Sequence, residues 1–297
     1  MIMQTSLVIL NQNQGAFLGG AIDSALAQDG SEIEVIVVDQ GSTDRSRDVM
    51  TYYGSRIRAI YLGDVGQSAG INAGLVASRG EFVCFLAADD MLKPARISTE
   101  LNALLNHPSA GWSYHQSSAV DMSGRPLHPP LHPLLFKPQI LKQFDLRQSS
   151  LHQAPLPFSG ISGALYRRSL LQRLLPMPES PRLNHLYLYY ASCEIAPGLA
   201  LSAVLHESRI YGGRLSNREK KRLNAKAYLF TAYWLRVRFP ERCRDTDKLF
   251  AIGLGLYYKT GGFEAEDLEL VKKYWRERSQ AEQFRIRAIA LYYAFIS

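Results

Sequence analysis

Apolar and polar positions alternate in blocks along the first 90 residues. Ser6–Leu10 has the pattern of a short buried strand and is followed by the polar, turn-like Asn11–Gly15. Ala16–Ala27 places Phe17, Leu18, Ile22, Ala25 and Leu26 on one helical face. Glu34–Val38 is a second strand pattern, ended by Asp39, and Gly41-Ser42-Thr43-Asp44 is a turn able to cap a helix that begins near Arg45. Ile57–Leu62 predicts a third strand and Ser68–Ser78 a helix of small residues. Glu81–Leu86 predicts a fourth strand, ended by Ala87-Ala88-Asp89-Asp90. This alternation predicts parallel βαβ units in an open α/β sheet, and such sheets bind ligands outside the carboxyl ends of their strands. The polar clusters Asn11–Asn13, Asp39-Gln40 and Asp89-Asp90 fall at three such ends.

The pattern is less regular after residue 108. Trp112–Ala119 predicts a strand and Asp121–Gly124 a turn. Pro126–Pro138, with five prolines, predicts a loop or lid, and Leu199–Leu205 a last short strand. From Ser216 the pattern turns helical. Ser216-Asn217-Arg218-Glu219 is a capping-box signature, and the helix it opens is stopped by Pro240. Further helices are expected from about Thr246 to Tyr258, after Phe263, and over the amphipathic Glu282–Ile296. The chain thus divides into an α/β domain over residues 1–215 and a helical region over 216–297.

Composition narrows the class. With 297 residues, 46% hydrophobic and 21% charged, disorder, collagen and coiled coil are excluded. No apolar run reaches the roughly 18 residues that span a bilayer, and no basic stretch with a cleavage site precedes Ser6. Three widely spaced cysteines, Cys84, Cys193 and Cys243, point to a reducing compartment and no zinc site. A cytoplasmic protein is expected. Net charge is +7. Residues 1–205 hold 15 Lys/Arg against 16 Asp/Glu, and residues 206–297 hold 19 against 11, so the excess lies in the tail. The tail has two readings, a solvated helical face or a surface for an anionic partner. Nucleic acid is not expected, since no zinc-finger spacing, RNP motif or other named module is present.

The strand-end carboxylates also have two readings each. Asp39 is either a turn and cap residue or an acceptor for the imino hydrogen of a pyrimidine base. Asp89 and Asp90 either meet the positive end of a helix or, as adjacent like charges needing compensation, hold magnesium or manganese beside a diphosphate leaving group.

Four motifs in order resemble the family 2 glycosyltransferases of GT-A fold. They are Ser6–Asn13, Val37–Asp44, Gly66-Gln67-Ser68-Ala69-Gly70-Ile71-Asn72-Ala73-Gly74, and Arg79–Phe82 running on to Asp89-Asp90. The third resembles a subgroup with a Gly-Gln-Ser run followed by Ile-Asn. The resemblance implies an α/β GT-A sheet with a C-terminal helical appendage. It implies a hexosyltransferase-like enzyme that moves a sugar from a nucleotide diphosphate donor, most often a UDP-sugar, to a hydroxyl acceptor with inversion, in glycan or cell-surface polysaccharide synthesis. It places Asp39 on the base, with Asn11 beside it. Asp64, Gly66 and Asn72 flank the nucleotide, and Asp89, with Asp90 next to it, holds Mn2+ or Mg2+.

The departures define the competing readings. Ala87 replaces the first aspartate of the metal motif, Gln40 a second acid, and Tyr211 a frequent metal-binding histidine. The family's usual glutamate-aspartate base pair corresponds to Asn184 and His185, so His185 and Glu179 are the candidate bases, although a histidine beside Tyr187–Tyr190 also suits a structural role. An active transferase is one reading, with the Pro126–Pro138 loop admitting the acceptor. A nucleotide-binding or scaffold protein with impaired catalysis is the other. A related nucleotidyltransferase is disfavoured, since no Gly-rich triphosphate loop with a lysine lies near the N-terminus. The basic tail, with Arg236, Arg238, Arg285 and Arg287 among apolar residues, either lies peripherally on an anionic inner membrane face near a lipid-linked acceptor or packs on the catalytic domain or in a homodimer.

Overall fold

The computed structural model describes residues 4–29, 32–127, 142–144, 160–178, 185–211, 216–240, 243–263 and 265–296. The chain divides into two compact units, Met1–Glu179 with Ser192–Gly212, and Ser180–Ala191 with Gly213–Ser297.

The first unit is built on a nine-stranded sheet among the described residues. Its N-terminal half is wholly parallel. β1 (Gln4–Asn11), β2 (Glu32–Gln40), β3 (Arg58–Leu62) and β4 (Phe82–Ala87) lie in the order β3-β2-β1-β4. They are linked by α1 (Leu18–Leu26), α2 (Ser46–Tyr53) and α3 (Gln67–Ala77). Leu7 to Leu10 are all buried, as expected for a strand covered on both faces. Leu7, Ile9, Val35, Val37, Phe82 and Leu86 face one core with Leu18, Ile22 and Met50. At Gly74 of α3 a Cβ atom would lie 2.4 Å from Val8 Cγ1, so the helix approaches β1 at a distance only glycine allows. That contact explains the small residues in its sequence.

The remaining strands make the sheet mixed. They are β5 (Met91–Leu92), β6 (Trp112–Val120), β7 (Lys142–Phe144), β8 (Ala164–Arg167) and β9 (Gly198–Arg209). β8 runs antiparallel between β4 and β6, β9 runs parallel to β6, and β5 and β7 pair antiparallel with β9. α4 (Arg96–Leu105) carries Ile97, Leu101 and Leu104 into the core. α5 (Arg168–Leu174) follows β8, and the unit boundary falls within α6 (His185–Ile195). β9 extends past the expected Leu205 to Arg209. Its polar Ser202, His206 and Glu207 hide the strand in the sequence, because their partners lie far along the chain. Most of the expected Pro126–Pro138 loop lies outside the described residues.

The second unit contains α7 (Asn217–Arg238), α8 (Cys243–Thr260), α9 (Ala265–Arg276) and α10 (Gln280–Ile296). The capping box forms. Ser216 Oγ accepts from Glu219 N at 3.2 Å, and Glu219 Oε2 accepts from Ser216 N at 2.7 Å. The buried Asp247 carboxylate accepts from Tyr274 Oη at 2.8 Å, Arg278 Nε at 3.2 Å and Arg285 Nη2 at 2.7 Å. Arg285, though partly exposed, is thereby committed to an ion pair with Asp247. No helix among the described residues is long and apolar enough to cross a membrane.

Candidate active site

Parallel register puts Asn11 opposite Asp39 at the ends of β1 and β2. Both are fully buried. Asn11 Nδ2 donates to Asp39 Oδ1 at 3.0 Å and lies 3.1 Å from Ser42 Oγ. The other Asp39 oxygen accepts from Ser42 N and from Arg47 Nε, each at 3.3 Å. Asn11 Oδ1 is buried without a partner, an acceptor that costs stability unless a donor reaches it. The turns behind these residues lock together. Asn13, with φ 54°, accepts from Thr43 N at 2.8 Å, and Asp44 accepts from Gly15 N and Ser46 N. Burial works to raise the Asp44 carboxyl, but the bonds from Ser46 and Gly15 outweigh it and hold the group low.

Asp64 and Gly66 reach the same edge. Gly41 has φ +76°, and a Cβ there would lie 2.6 Å from Asp64 N, so glycine is required both by conformation and by the close approach. Gln12 Nε2 donates to Asp64 Oδ1 at 2.9 Å. Gln40, in place of a second acid, donates to Gly66 O at 2.9 Å and ties the start of α3 to β2. Asn72 departs from the expectation of a nucleotide contact. Its amide clamps the chain after α5, donating to Met177 O at 3.0 Å and accepting from Met177 N at 2.8 Å. Each polar atom thus has a protein partner, which fixes the orientation of the amide.

The third strand end holds Asp89 and Asp90 in opposite settings. Asp89 is half-buried. Its Oδ2 accepts from Tyr211 Oη at 2.7 Å, and the same hydroxyl lies 2.9 Å from Gln14 Oε1. Asp89 Oδ1 takes no hydrogen bond among the described residues. Asp90 is turned into the fold, contrary to the expected metal role. Its Oδ2 accepts from Ser162 Oγ at 2.6 Å and its Oδ1 from Arg209 N at 3.1 Å. Ser162 Oγ in turn accepts from Ala87 N at 3.0 Å. Arg209 fastens the turn from the other side, donating to Asp89 O at 3.1 Å, Asp121 O at 2.8 Å and Met122 O at 3.0 Å.

Burial pushes the Asp90 carboxyl up to about 6, with the Asp89 charge adding to the rise and Ser162 opposing it. Because the folded value lies above the unfolded 3.8, the folded state holds the extra proton between those values. This stabilising effect is complete below 3.8 and is lost as pH rises through about 6. Above that, the buried charge costs on the order of 3 kcal/mol. Asp90→Asn is expected to flatten the pH dependence of stability between about pH 4 and 6, read by urea unfolding. An unchanged slope in that window would show that Asp90 does not titrate there.

His185, one candidate base, opens α6 in the second unit. Burial pushes its imidazole down to about 4, which leaves it neutral but weakly basic near pH 7 and poorly matched to general-base work. Glu179 and Asn184 lie outside the described residues. Sequence reading missed Ser42, Arg47, Ser162 and Arg209. Ser162 sat in a small-residue run and Arg209 at the hidden end of β9, so only the fold assembles them.

A parallel half-sheet with polar groups gathered at three carboxyl ends, continued by mixed strands, defines the GT-A class of nucleotide-sugar transferase folds. The chain belongs to glycosyl transferase family 2, whose model matches residues 6–175. An uncharacterized glycosyltransferase of Nostoc sp. is 32% identical over 59% of this chain and 54% of its own length, so the match spans about half of that relative. One from Rickettsia typhi is 25% identical over 87% of this chain and 80% of its own. Among solved structures, S. aureus TarS 1–349 in complex with UDP-GlcNAc superposes with a TM-score of 0.65 at 16% identity. That match covers 98% of this chain and 89% of TarS 1–349, a likeness of fold.

Proposed function

We propose that this chain transfers a sugar from a UDP-sugar to a hydroxyl acceptor with inversion, in the synthesis of a glycan or cell-surface polysaccharide. The observation that carries the reading is a buried Asp39, braced by Asn11, at the end of β2 together with an Asp89 that keeps one oxygen uncommitted just past the end of β4, the two strands flanking β1. An ionised carboxylate only accepts hydrogen bonds. Asp39 therefore suits a base with an imino N–H, such as uracil, and disfavours cytosine, which lacks one. The fold it shares with TarS, which binds UDP-GlcNAc, supports the same donor class.

A divalent cation fits this site as a companion of the diphosphate. Mg2+ is commonly held by one or two carboxylates together with substrate phosphates. Asp89 supplies one carboxylate, while Ala87 and the inward-turned Asp90 supply none. The described residues contain no group of three acidic, His or Cys side chains able to cage a metal. The ion, Mn2+ or Mg2+, would neutralise the leaving diphosphate. Tyr211 holds one Asp89 oxygen, and the other would be available to the ion. Of the two candidate bases, Glu179 has the chemistry that suits the acceptor hydroxyl.

Calorimetric titration with UDP and CDP, with and without Mn2+, tests the reading. Asp39→Asn replaces an acceptor by a group that also donates. UDP binding is expected to weaken by about 10- to 100-fold, the worth of a hydrogen bond to a charged group, and the preference over CDP to shrink. Equal affinity of the variant and the parent for UDP would remove Asp39 from the base.

The acceptor is proposed to be lipid-linked, with α10 resting on an anionic membrane. Phe284, Leu291, Tyr292 and Phe295 of this helix are exposed, and Arg287 lies on the same exposed side. Apolar anchors beside a cation suit an anionic lipid surface. Flotation with phosphatidylglycerol vesicles is expected to carry the protein, and Phe284→Ser with Phe295→Ser to abolish it. No flotation, with a dimer mass in solution, would assign this face to a second copy.

A further inference from the structure

Five buried side chains outside the strand-end site form a continuous polar chain. Arg96 Nε and Glu100 Oε2 of α4 are 3.0 Å apart. Glu100 Oε1 accepts from Ser113 Oγ at 3.0 Å and lies 3.1 Å from His115 Nδ1. His115 Nε2 lies 2.9 Å from His206 Nδ1. Arg96 Nη2 donates to Ala164 O of β8 at 3.0 Å. All five side chains are fully buried. Burial pushes the His115 imidazole down against the pull of Glu100, so the ring is neutral. With Glu100 ionised, His115 Nδ1 carries the proton and donates, its Nε2 accepts, and His206 Nδ1 donates.

It spans an irregularity in the sheet. Tyr114 pairs with Ala200, Gln116 with Val204 and Ser117 with His206. β9 thus runs from Ala200 to His206 while β6 advances only from Tyr114 to Ser117, and β9 bulges opposite His115. Bulges beside active sites re-aim the strand that follows. Here the following residues are Arg209, which holds the Asp89 carbonyl and the Asp90 carboxylate, and then Tyr211, which holds Asp89 Oδ2. On one edge β5 pairs Leu92 with His206 and Met91 with Glu207, and on the other the His115–His206 bond ties β9 to β6 across the bulge.

We infer that the Arg96–Glu100–His115–His206 chain is a positioning device for Asp89, fixing the bulged register in which β9 delivers Arg209 and Tyr211 to the Asp89-Asp90 turn. The inference rests on the proposed work of Asp89 at the diphosphate. It makes His206 and His115 positioning residues, remote from the substrate, whose loss moves the site without emptying it.

Two substitutions at one position separate register from bulk. His206→Asn keeps an amide where Nδ1–H stands and can still donate to His115. His206→Gln places its amide where Nε2 stands and takes away the donor that His206 offers to His115 Nε2. For His206→Gln, kcat for donor turnover is expected to fall by about 10- to 100-fold, the scale of a misplaced catalytic group. KM for the nucleotide sugar should change by less than about threefold, since Asp39 lies on other strands. Amide hydrogen exchange over residues 207–211 should rise at least about tenfold in the same variant while β1–β4 stay protected. His206→Asn should remain near the parent in both readouts.

Unchanged exchange over 207–211 in His206→Gln would overturn the inference. So would equal loss in both variants with exchange raised across the whole sheet. Should His206→Gln not fold, Ser113→Ala removes one donor from Glu100 and is expected to shift both readouts in the same direction, and no shift would overturn the inference. Turnover that survives Asp89→Ala would sink the diphosphate role instead, leaving the exchange result to judge the register. Turnover lost in Asp89→Ala but intact in His206→Gln would sink the positioning role alone.

Discussion

Asp89→Ala is expected to lower turnover of the nucleotide-sugar donor by about two to three orders of magnitude, the usual effect of deleting a group that faces developing charge. The fold should survive the change. Asp89 is half-buried and its side chain has one hydrogen-bond partner, Tyr211 Oη, so the stability loss should stay near 1 kcal/mol. Asp89→Asn separates two contributions. The amide still accepts from Tyr211 but carries no charge, so turnover should fall nearly as far as in the alanine variant if charge is what matters. Donor hydrolysis followed by UDP release, titrated with Mn2+, provides the measurement. A turnover unchanged in Asp89→Ala would return this residue to the role of a turn anchor. The comparison with Asp90→Asn sharpens the assignment, because Asp90 is enclosed by Ser162 and Arg209 and its loss should act on stability before chemistry.

These two neighbours also show how far sequence reading reaches. Strand ends follow from local pattern. Val35–Val38 is an unbroken apolar run and Asp39 stops it, so the position of this strand-end carboxylate was visible from hydrophobic periodicity alone. The same holds for Phe82–Leu86 and the Asp89-Asp90 pair. Which of the two aspartates faces outward was not visible, because the answer depends on Ser162 and Arg209, each more than 70 positions away. Tyr211 could be aligned with a family histidine, and its contact with Asp89 gives that position a physical meaning as a hydroxyl cap on the carboxylate. Asn72 lay within a motif and was expected on the nucleotide, yet its amide serves Met177 across 105 positions. The helical tail was legible almost throughout, since capping boxes and 3.6-residue spacing are local, whereas the ion pair that engages Arg285 depends on Asp247, 38 positions away. The bulge in β9 left no signature in the sequence, because a register is a property of two strands together.

The largest stability effect is expected at Glu100. Its carboxylate is fully buried and is shared by Arg96, Ser113 and His115. Burial works to raise this carboxyl, yet His115 and Arg96 outweigh it and hold the group below its ordinary 4.5. A folded value below the unfolded one means that the stabilisation is full above about pH 4.5 and is lost as pH falls through the folded value. Glu100→Ala leaves the Arg96 guanidinium its bond to Ala164 O but no counter-charge, and should cost about 3–5 kcal/mol, the scale for breaking a buried ion pair on one side. Glu100→Gln keeps an acceptor for Ser113 and His115 but still leaves the guanidinium charge unbalanced, so it too should be clearly destabilised. Adding Arg96→Met removes that charge, and the double variant Arg96→Met/Glu100→Gln should recover most of the loss, because a buried pair replaced as a pair is often nearly neutral. Urea unfolding of the four proteins measures this coupling, and a double variant no more stable than Glu100→Gln would mean that the guanidinium is not what the carboxylate offsets. Recovery of stability in the double variant without recovery of hydrogen-exchange protection at residues 207–211 would locate the value of the ion pair. The pair would then add little net stability, and what it contributes is a single orientation of His115, hence of His206, hence of the strand that carries Arg209 and Tyr211 to Asp89.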